Sequence, residues 1–309
     1  MANPDAALSV NPVWISSERV TVSPETCAVT GRIVCDPAKT LWVGTMVIAA
    51  LVLGPFTLAP GSFITFLITS GLTLMGGHSV GMHRLLIHHA FTAPLWLERL
   101  LIWLGTLVGM AGPFGMMRAH DMRDWHQRQP VCPPHPSHRA TFLRDAWWQL
   151  CCRFDLAYPP AFQIEANRAN DPVLRWIEAT WMWQQLPLAL LLYALGGWDF
   201  VIWGIPMRIS VSLIGHWMMG HYAHRQGHQG WVVDGLAVQG YNLPRFGFIS
   251  FGESWHGNHH AFPHSAKMGV EQGQIDPGFW FVQFLETLGL ARNVQLPESE
   301  GPREGLRRL

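Results

Sequence analysis

The chain has 309 residues with 21 basic and 21 acidic side chains, so its formal net charge is zero. Charged residues make up only 14% and hydrophobic ones 49%, with 16 Trp and 16 Phe. That balance excludes a disordered chain, an ordinary soluble domain and a nucleic-acid binder held by bulk charge. What remains is a membrane protein with 16 histidines, all between His78 and His264.

Residues 1–40 are polar, with scattered Pro and no basic stretch leading into an apolar run. They read as a cytoplasmic tail rather than a cleaved signal. No charge occurs from Leu41 to Gly77, and Pro60-Gly61 divides this stretch into predicted spans 41–59 and 61–77. Each is close to the roughly 20 residues that cross hydrocarbon as a helix. So short a turn makes the two an antiparallel hairpin. The apolar run 95–110 opens with Glu98 and Arg99 and reads as an interfacial helix, with a fifth span as the alternative. A second hairpin follows, with spans 179–198 and 200–219 about Gly196-Gly197. Arg208 falls inside the last span and is expected to face the bundle.

The fold predicted is all-α and integral to the membrane: four transmembrane helices in two hairpins. A cytoplasmic, helical, histidine-rich cap is built from 78–178 and 220–309. The membrane domain covers 41–292, and 293–309 is a polar tail. Nine arginines from Arg84 to Arg168 lie in the long loop and none in the hairpin turns, which places the loop on the cytoplasmic side. The ends 1–36 and 297–309 are expected to be dispensable for chemistry. The five cysteines form no CxxC pair and no disulfide framework.

In this topology four histidine stretches, 78–89, 120–138, 221–228 and 256–264, emerge on one face. Neutral imidazole is a common ligand for transition metals, so a site with more than one ion is expected. His256, His259 and His260 stand at i, i+3 and i+4, on one helical face. His120 and Asp124 are also four apart, and His221 and His224 are three apart. His83 and His88 are five apart, about 140° around an α-helix. They meet at one ion only if the helix ends or bends between them; otherwise they serve different ions. His135, His138 and His228 read as solvated loop residues, His216 as a bundle residue and His78 as a cap.

His83-Arg84-Leu85-Leu86-Ile87-His88 resembles the first histidine box of membrane-bound fatty acid desaturases of the stearoyl-CoA desaturase type. Gly252-Glu253-Ser254-Trp255-His256-Gly257-Asn258-His259-His260-Ala261-Phe262-Pro263 is similar to their third box, and the resemblance covers about residues 41–292. Arg118-Ala119-His120 fits the start of the second box, which then departs: Arg123 and Asp124 stand where two histidines are expected. His224 suits the family's histidine after the last span, with Gly220 in place of an Asn.

The resemblance implies metal ligands His83, His88, His120, His224, His256, His259 and His260. Asp124 would replace one imidazole, and His126 or His221 could fill another place, whereas guanidinium cannot ligate. It further implies two iron ions, O2 as co-substrate and a fatty acyl substrate on CoA or a lipid. Two external electrons would come from a separate donor such as ferredoxin or cytochrome b5 with its reductase. The lipid bilayer is a partner and nucleic acid is not. Hydroxylation by the same site is one alternative, and a membrane metal transporter or sensor is another.

Overall fold

Asp36 starts the first long helix: its carboxylate accepts the Lys39 N–H at 3.1 Å, and Pro37 takes the first helical position. In the computed structural model, which describes residues 14–301 and 303–309, α1 (Pro37–Leu53) runs on through a tight turn to Thr57. Pro60 then opens α2 (Pro60–Ser70), which continues in wider π-helical winding over Gly71–Ile87. The second predicted span was expected to stop at 77, but the helix carries ten residues further. Three helices are long and apolar enough to cross a membrane: Pro37–Thr57, Pro60–Ile87 and Gln185–Ala223. Leu51, Phe56, Ile64, Ile68, Leu190 and Leu195 are exposed along them. That surface suits hydrocarbon far better than water.

The third of these is folded on itself. Gly196 and Gly197 leave helical geometry within α8 (Gln185–Ile202), and Gly197 takes φ +66°, ψ −155°, which only glycine adopts readily. Gln185 and Arg208 would lie about 35 Å apart along a straight helix. Instead Arg208 donates to Gln185 Oε1 at 2.8 Å. The chain therefore reverses at the predicted glycine pair. The first arm is shorter than the predicted 179–198, because residues 180–184 form turns and the helix begins at Gln185. A π-helical turn around Pro206 leads into α9 (Arg208–Ala223). Arg208 is fully buried and also donates to the carbonyls of Gly204 and Leu107. It faces the bundle, with its charge spread over carbonyl dipoles.

Helix α3 (Leu95–Thr106) crosses the wide winding of the second helix at backbone contact. A Cβ on Gly77 would fall 2.3 Å from the Gly105 nitrogen, and one on Gly81 2.6 Å from the Leu101 carbonyl carbon. Any side chain there would push α3 away from the winding that carries His83. Val80 and Leu85 pack with Leu97 and Leu101 on one side of this crossing, and Met82 and Leu86 with Ile102 on the other.

Beyond the long helices lie α4 (Pro113–Arg128), α5 (Phe142–Cys151), short α6 (Ala166–Ala169), α7 (Pro172–Ala179), α10 (His256–Ala261) and α11 (Pro277–Thr287). The chain is mostly helical, and among the described residues three short two-stranded sheets add to the all-α expectation. β1 (Val20–Thr21) pairs with β4 (Ala161–Phe162), and β2 (Gly31–Cys35) with β3 (Cys152–Leu156). β5 (Trp231–Val233) pairs with β6 (Leu306–Arg308). The polar ends expected as loose tails are thus tied into the fold from residue 14 onward. The part of the amino-terminal tail before Trp14 lies outside the described residues.

Candidate metal centre

The first histidine pair is brought together by the width of its helix. His88 donates its backbone N–H to the His83 carbonyl at 3.1 Å, an i→i+5 bond. In that winding, residues five apart are separated by a much smaller angle than in an α-helix, which brings the two side chains into one group. The rings of His83 and His88 lie 4.8 Å apart. His120 from α4 and His259 from α10 complete the group. One nitrogen from each of the four lies within 4.8 Å of every other, and all four residues are buried.

A second group joins His224, at the end of α9, to His256 and His260, one turn apart on α10. Here His256 Nε2 stands 2.9 Å from His224 Nε2 and 3.0 Å from His260 Nε2. In the first group His88 Nε2 and His120 Nε2 are 3.3 Å apart. Two ligands at right angles with metal–nitrogen bonds of about 2.1 Å have nitrogens about 3.0 Å apart. Hydrogen bonding accounts poorly for His256, since its one Nε2 faces two imidazole nitrogens at once and a neutral ring has at most one proton to place there. The converging nitrogens have the spacing and chemistry of metal ligands, and the residues present fit such ions.

Further groups orient the rings from behind. His120 Nδ1 lies 3.1 Å from Asp121 Oδ1 and His224 Nδ1 2.8 Å from the Gly220 carbonyl, while the Glu253 carboxylate stands against His83 Nδ1 without the alignment of a hydrogen bond. Partners of this kind fix the tautomer and leave Nε2 free to ligate. Glu253 is itself paired with fully buried Arg84, which also binds Asp276 at 2.9 Å and the Ala266 carbonyl at 2.8 Å. Asp121 is held by Arg19 at 2.9 Å, so the amino-terminal segment reaches the back of the site. Burial, reinforced by neighbouring imidazoles, pushes His88, His224, His256 and His259 well below the ordinary histidine range, and burial with nearby Arg128, Arg123 and Arg303 takes His260 down to about 4 against the opposing charge of Asp124. All five are neutral near pH 7, the form that binds metal. A cavity of about 600 Å³ is lined by His88 together with Arg128, His264, Glu300 and Arg303.

The seven histidines expected as ligands fall into these two groups, four and three. Asp124 joins neither: its carboxylate faces Arg128 at 3.4 Å and Arg123 at 3.8 Å. Burial would raise its pKa, but His120, Arg128, His260 and Arg123 outweigh burial and hold it well below the usual carboxylate range. His126 stands away from both groups, packed on Trp125 and Phe154. His221 instead points its Nδ1 at Asp145, 2.8 Å away. His138, expected as a solvated loop residue, is buried against His224. Sequence reasoning also passed over the orienting carboxylates. Asp121 carried a local signal, since it directly follows the His120 it orients, whereas Glu253 faces a ring far away in the sequence.

No protein-family model matches the chain. Among curated proteins it is similar to an sn-1 stearoyl-lipid 9-desaturase of Anabaena variabilis, 32% identical over 269 residues covering 84% of this chain and 95% of that one. It is 31% identical to an sn-2 palmitoyl-lipid 9-desaturase of Nostoc sp. (strain 36), over 74% of this chain and 80% of that protein. An acyl-CoA 5-desaturase of Anemone leveillei is 27% identical over 79% of this chain and 74% of its own length.

Proposed function

This chain belongs to the fatty acid desaturases and is an oxidoreductase of fatty acyl chains; from that premise we propose that it desaturates the acyl groups of membrane glycerolipids at a two-iron site, with O2 as co-substrate. Support for the lipid-linked substrate comes from the acyl-lipid desaturases of Anabaena and Nostoc named above. The observation that carries the metal reading is the convergence of Nε2 atoms at 2.9–3.3 Å in two separate groups of buried and half-buried imidazoles.

His83, His88, His120 and His259 would hold one ion, and His224, His256 and His260 the other. Iron with dioxygen supplies the oxidising power that an unactivated alkyl C–H bond demands and that side-chain acids and bases lack. The protein's part is placement. Asp121 and the Gly220 carbonyl hold His120 and His224 in their ligating tautomers. The long helices, apolar on their outer surfaces, set the site at one end of a hydrocarbon-facing bundle, which suits an acyl chain entering from the bilayer. In this reading Pro37–Thr57, Pro60–Ile87 and the two arms of Gln185–Ala223 make four membrane passes in two hairpins, with the histidine-bearing face in the cytoplasm. The electrons come from a separate donor protein of the ferredoxin or cytochrome b5 kind.

The test is expression in a desaturase-deficient host, followed by mass spectrometry of intact lipids. A new double bond in lipid-linked chains is the expected result. Double bonds confined to acyl-CoA would overturn the lipid-linked substrate. Added oxygen without a double bond would move the reaction to hydroxylation.

A further inference from the structure

His138 and Asp145 stand outside the two histidine groups, yet they are arranged as a ligand and its orienting carboxylate. Asp145 is fully buried. Its Oδ2 accepts from His138 Nδ1 at 3.0 Å, Trp217 Nε1 at 2.9 Å and His221 Nδ1 at 2.8 Å. Indole only donates, so this oxygen is an acceptor saturated by N–H groups and is not free to hold a cation itself. With Nδ1 protonated toward Asp145, the lone pair of His138 lies on Nε2. That atom is buried and has no hydrogen-bond partner.

The bare nitrogen lies beside the second group. The His138 ring is parallel to that of His224 within 1°, with centroids 5.4 Å apart, so it borders the second group but must turn to join its converging nitrogens. The same 5.4 Å separates His224 from His260 inside the group. Two imidazoles sharing one ion at a tetrahedral angle have centroids about 5 Å apart, given metal–nitrogen bonds of about 2.1 Å. Gly220 lies one turn before His224 on the same face of α9. A Cβ there would meet His138 Nε2 at 3.1 Å and Cε1 at 3.2 Å. The imidazole thus fills the space that a side chain at 220 would need.

The backbone is committed to this placement. His138 has φ +54°, a left-handed conformation that a residue with a side chain adopts at some cost. Its carbonyl accepts from Arg225 at 2.9 Å, and the loop before it is pinned by Gln127 to the Pro136 carbonyl at 2.8 Å and by Ser137 to the Pro133 carbonyl at 2.7 Å. Strain held by several independent contacts marks a functional position more often than a connecting loop.

We propose that His138 is the fourth imidazole of the His224–His256–His260 metal site, with Asp145 as its positioning carboxylate. This rests on the two-metal reading above. It answers the departure at Arg123, where a further ligand was expected and a guanidinium stands: the missing nitrogen arrives from the Pro-rich loop, and Gly220 makes room for it. On ligation the ring pivots about its Asp145 hydrogen bond toward the ion.

The experiment uses the full-length protein purified in detergent, stripped of metal and titrated with Co2+, with visible absorption and elemental analysis as readouts. Wild type is expected to take up about two equivalents, and His138→Ala about one at the same concentrations. Asp145→Asn should weaken the second equivalent roughly 10–100-fold, as loss of an orienting partner does. Added imidazole should restore the second equivalent to His138→Gly, which separates a lost ligand from a damaged fold. His138→Gln, closer in size, serves where the smaller variants give no folded protein. His228→Ala, at an exposed loop position, is the unaffected control. Two equivalents with an unchanged spectrum in His138→Ala or His138→Gln overturn the proposal. Fewer than two in wild type overturn the two-metal reading instead.

Discussion

His224 Nε2 lies 2.9 Å from His256 Nε2, although the two residues come from different helices 32 positions apart. Neither can escape the other, because His224 is buried, His256 is half-buried and His256 is also 3.0 Å from His260. A methyl group at 256 leaves two nitrogens with no third corner. His256→Ala, His260→Ala and His83→Ala are each expected to cut desaturation at least about 100-fold and to lower iron content, the size of loss seen even for groups one shell further out. Iron analysis and lipid profiling check this together. Full iron and turnover in His256→Ala would refute the ligand assignment.

Arg84 is the anchor beneath the first pair. Its guanidinium binds Asp276, Glu253, Ser79 and the Ala266 carbonyl with no exposure to solvent. Removing one member of such a network leaves buried carboxylates without a counter-charge, which costs about 3–5 kcal/mol. Arg84→Met is expected to lower the unfolding temperature sharply and to loosen His83 through Glu253. An unchanged melting curve in detergent would show that the carboxylates find other partners.

The amino-terminal strap makes a prediction opposite to the one its polarity suggests. Arg19 is 5% exposed and binds Asp121 at 2.9 Å, Glu165 at 2.7 Å and the Ile87 carbonyl at 3.1 Å. Asp121 in turn orients His120. Arg19→Ala should therefore destabilise the protein by roughly 1–3 kcal/mol and weaken the first ion more than the second. Differential loss of one metal equivalent is the readout. Equal loss of both would mean a purely global effect.

These cases show where the sequence was legible. The triple His256, His259 and His260 could be read because α10 is an ordinary helix and its i, i+3, i+4 face is local. The reversal at Gly196-Gly197 was legible for the same reason, since a glycine pair ends an apolar run whatever surrounds it. His83 and His88 resisted, because arithmetic at 3.6 residues per turn does not apply to an i→i+5 winding. The strap resisted because β1 has two residues and pairs with a strand 140 positions away, which leaves no periodic trace. His138 is visible only in three dimensions: its burial depends on α5, α9 and a glycine at 220.

Acid should unfold the protein through histidines that lie away from both ion positions. Burial lowers His126 and His135 to about 4, against about 6.5 in an unfolded chain. The unfolded state therefore binds more protons between these values, so stability is full above about pH 6.5 and falls as the pH drops toward about 4. Metal-free protein should show this slope in denaturant titrations. His126→Phe, which keeps a ring against Trp125 and Phe154, should flatten it. A slope unchanged by that substitution would assign the acid sensitivity to other groups.

Asp124 poses the sharpest choice at this site. It is buried one turn after His120, where the family resemblance places a ligand, yet it stands outside both histidine groups. Its oxygens face Arg128 at 3.4 Å and Arg123 at 3.8 Å. Arg123 is surrounded by imidazoles that take no positive charge readily, so a carboxylate beside it offsets a cation that would otherwise repel metal. On this geometry Asp124 acts as counter-charge, and the change that tests it is Asp124→Asn, which keeps shape and one oxygen while removing the charge. Both metal equivalents should still bind, each more weakly, and the loss should shrink in Asp124→Asn combined with Arg123→Gln, where the uncompensated cation is gone. A true ligand would behave differently: one equivalent would vanish, and neutralising Arg123 would not bring it back. Metal titration of the single and double variants separates the two roles. Loss of one ion in both variants would return Asp124 to the ligand set.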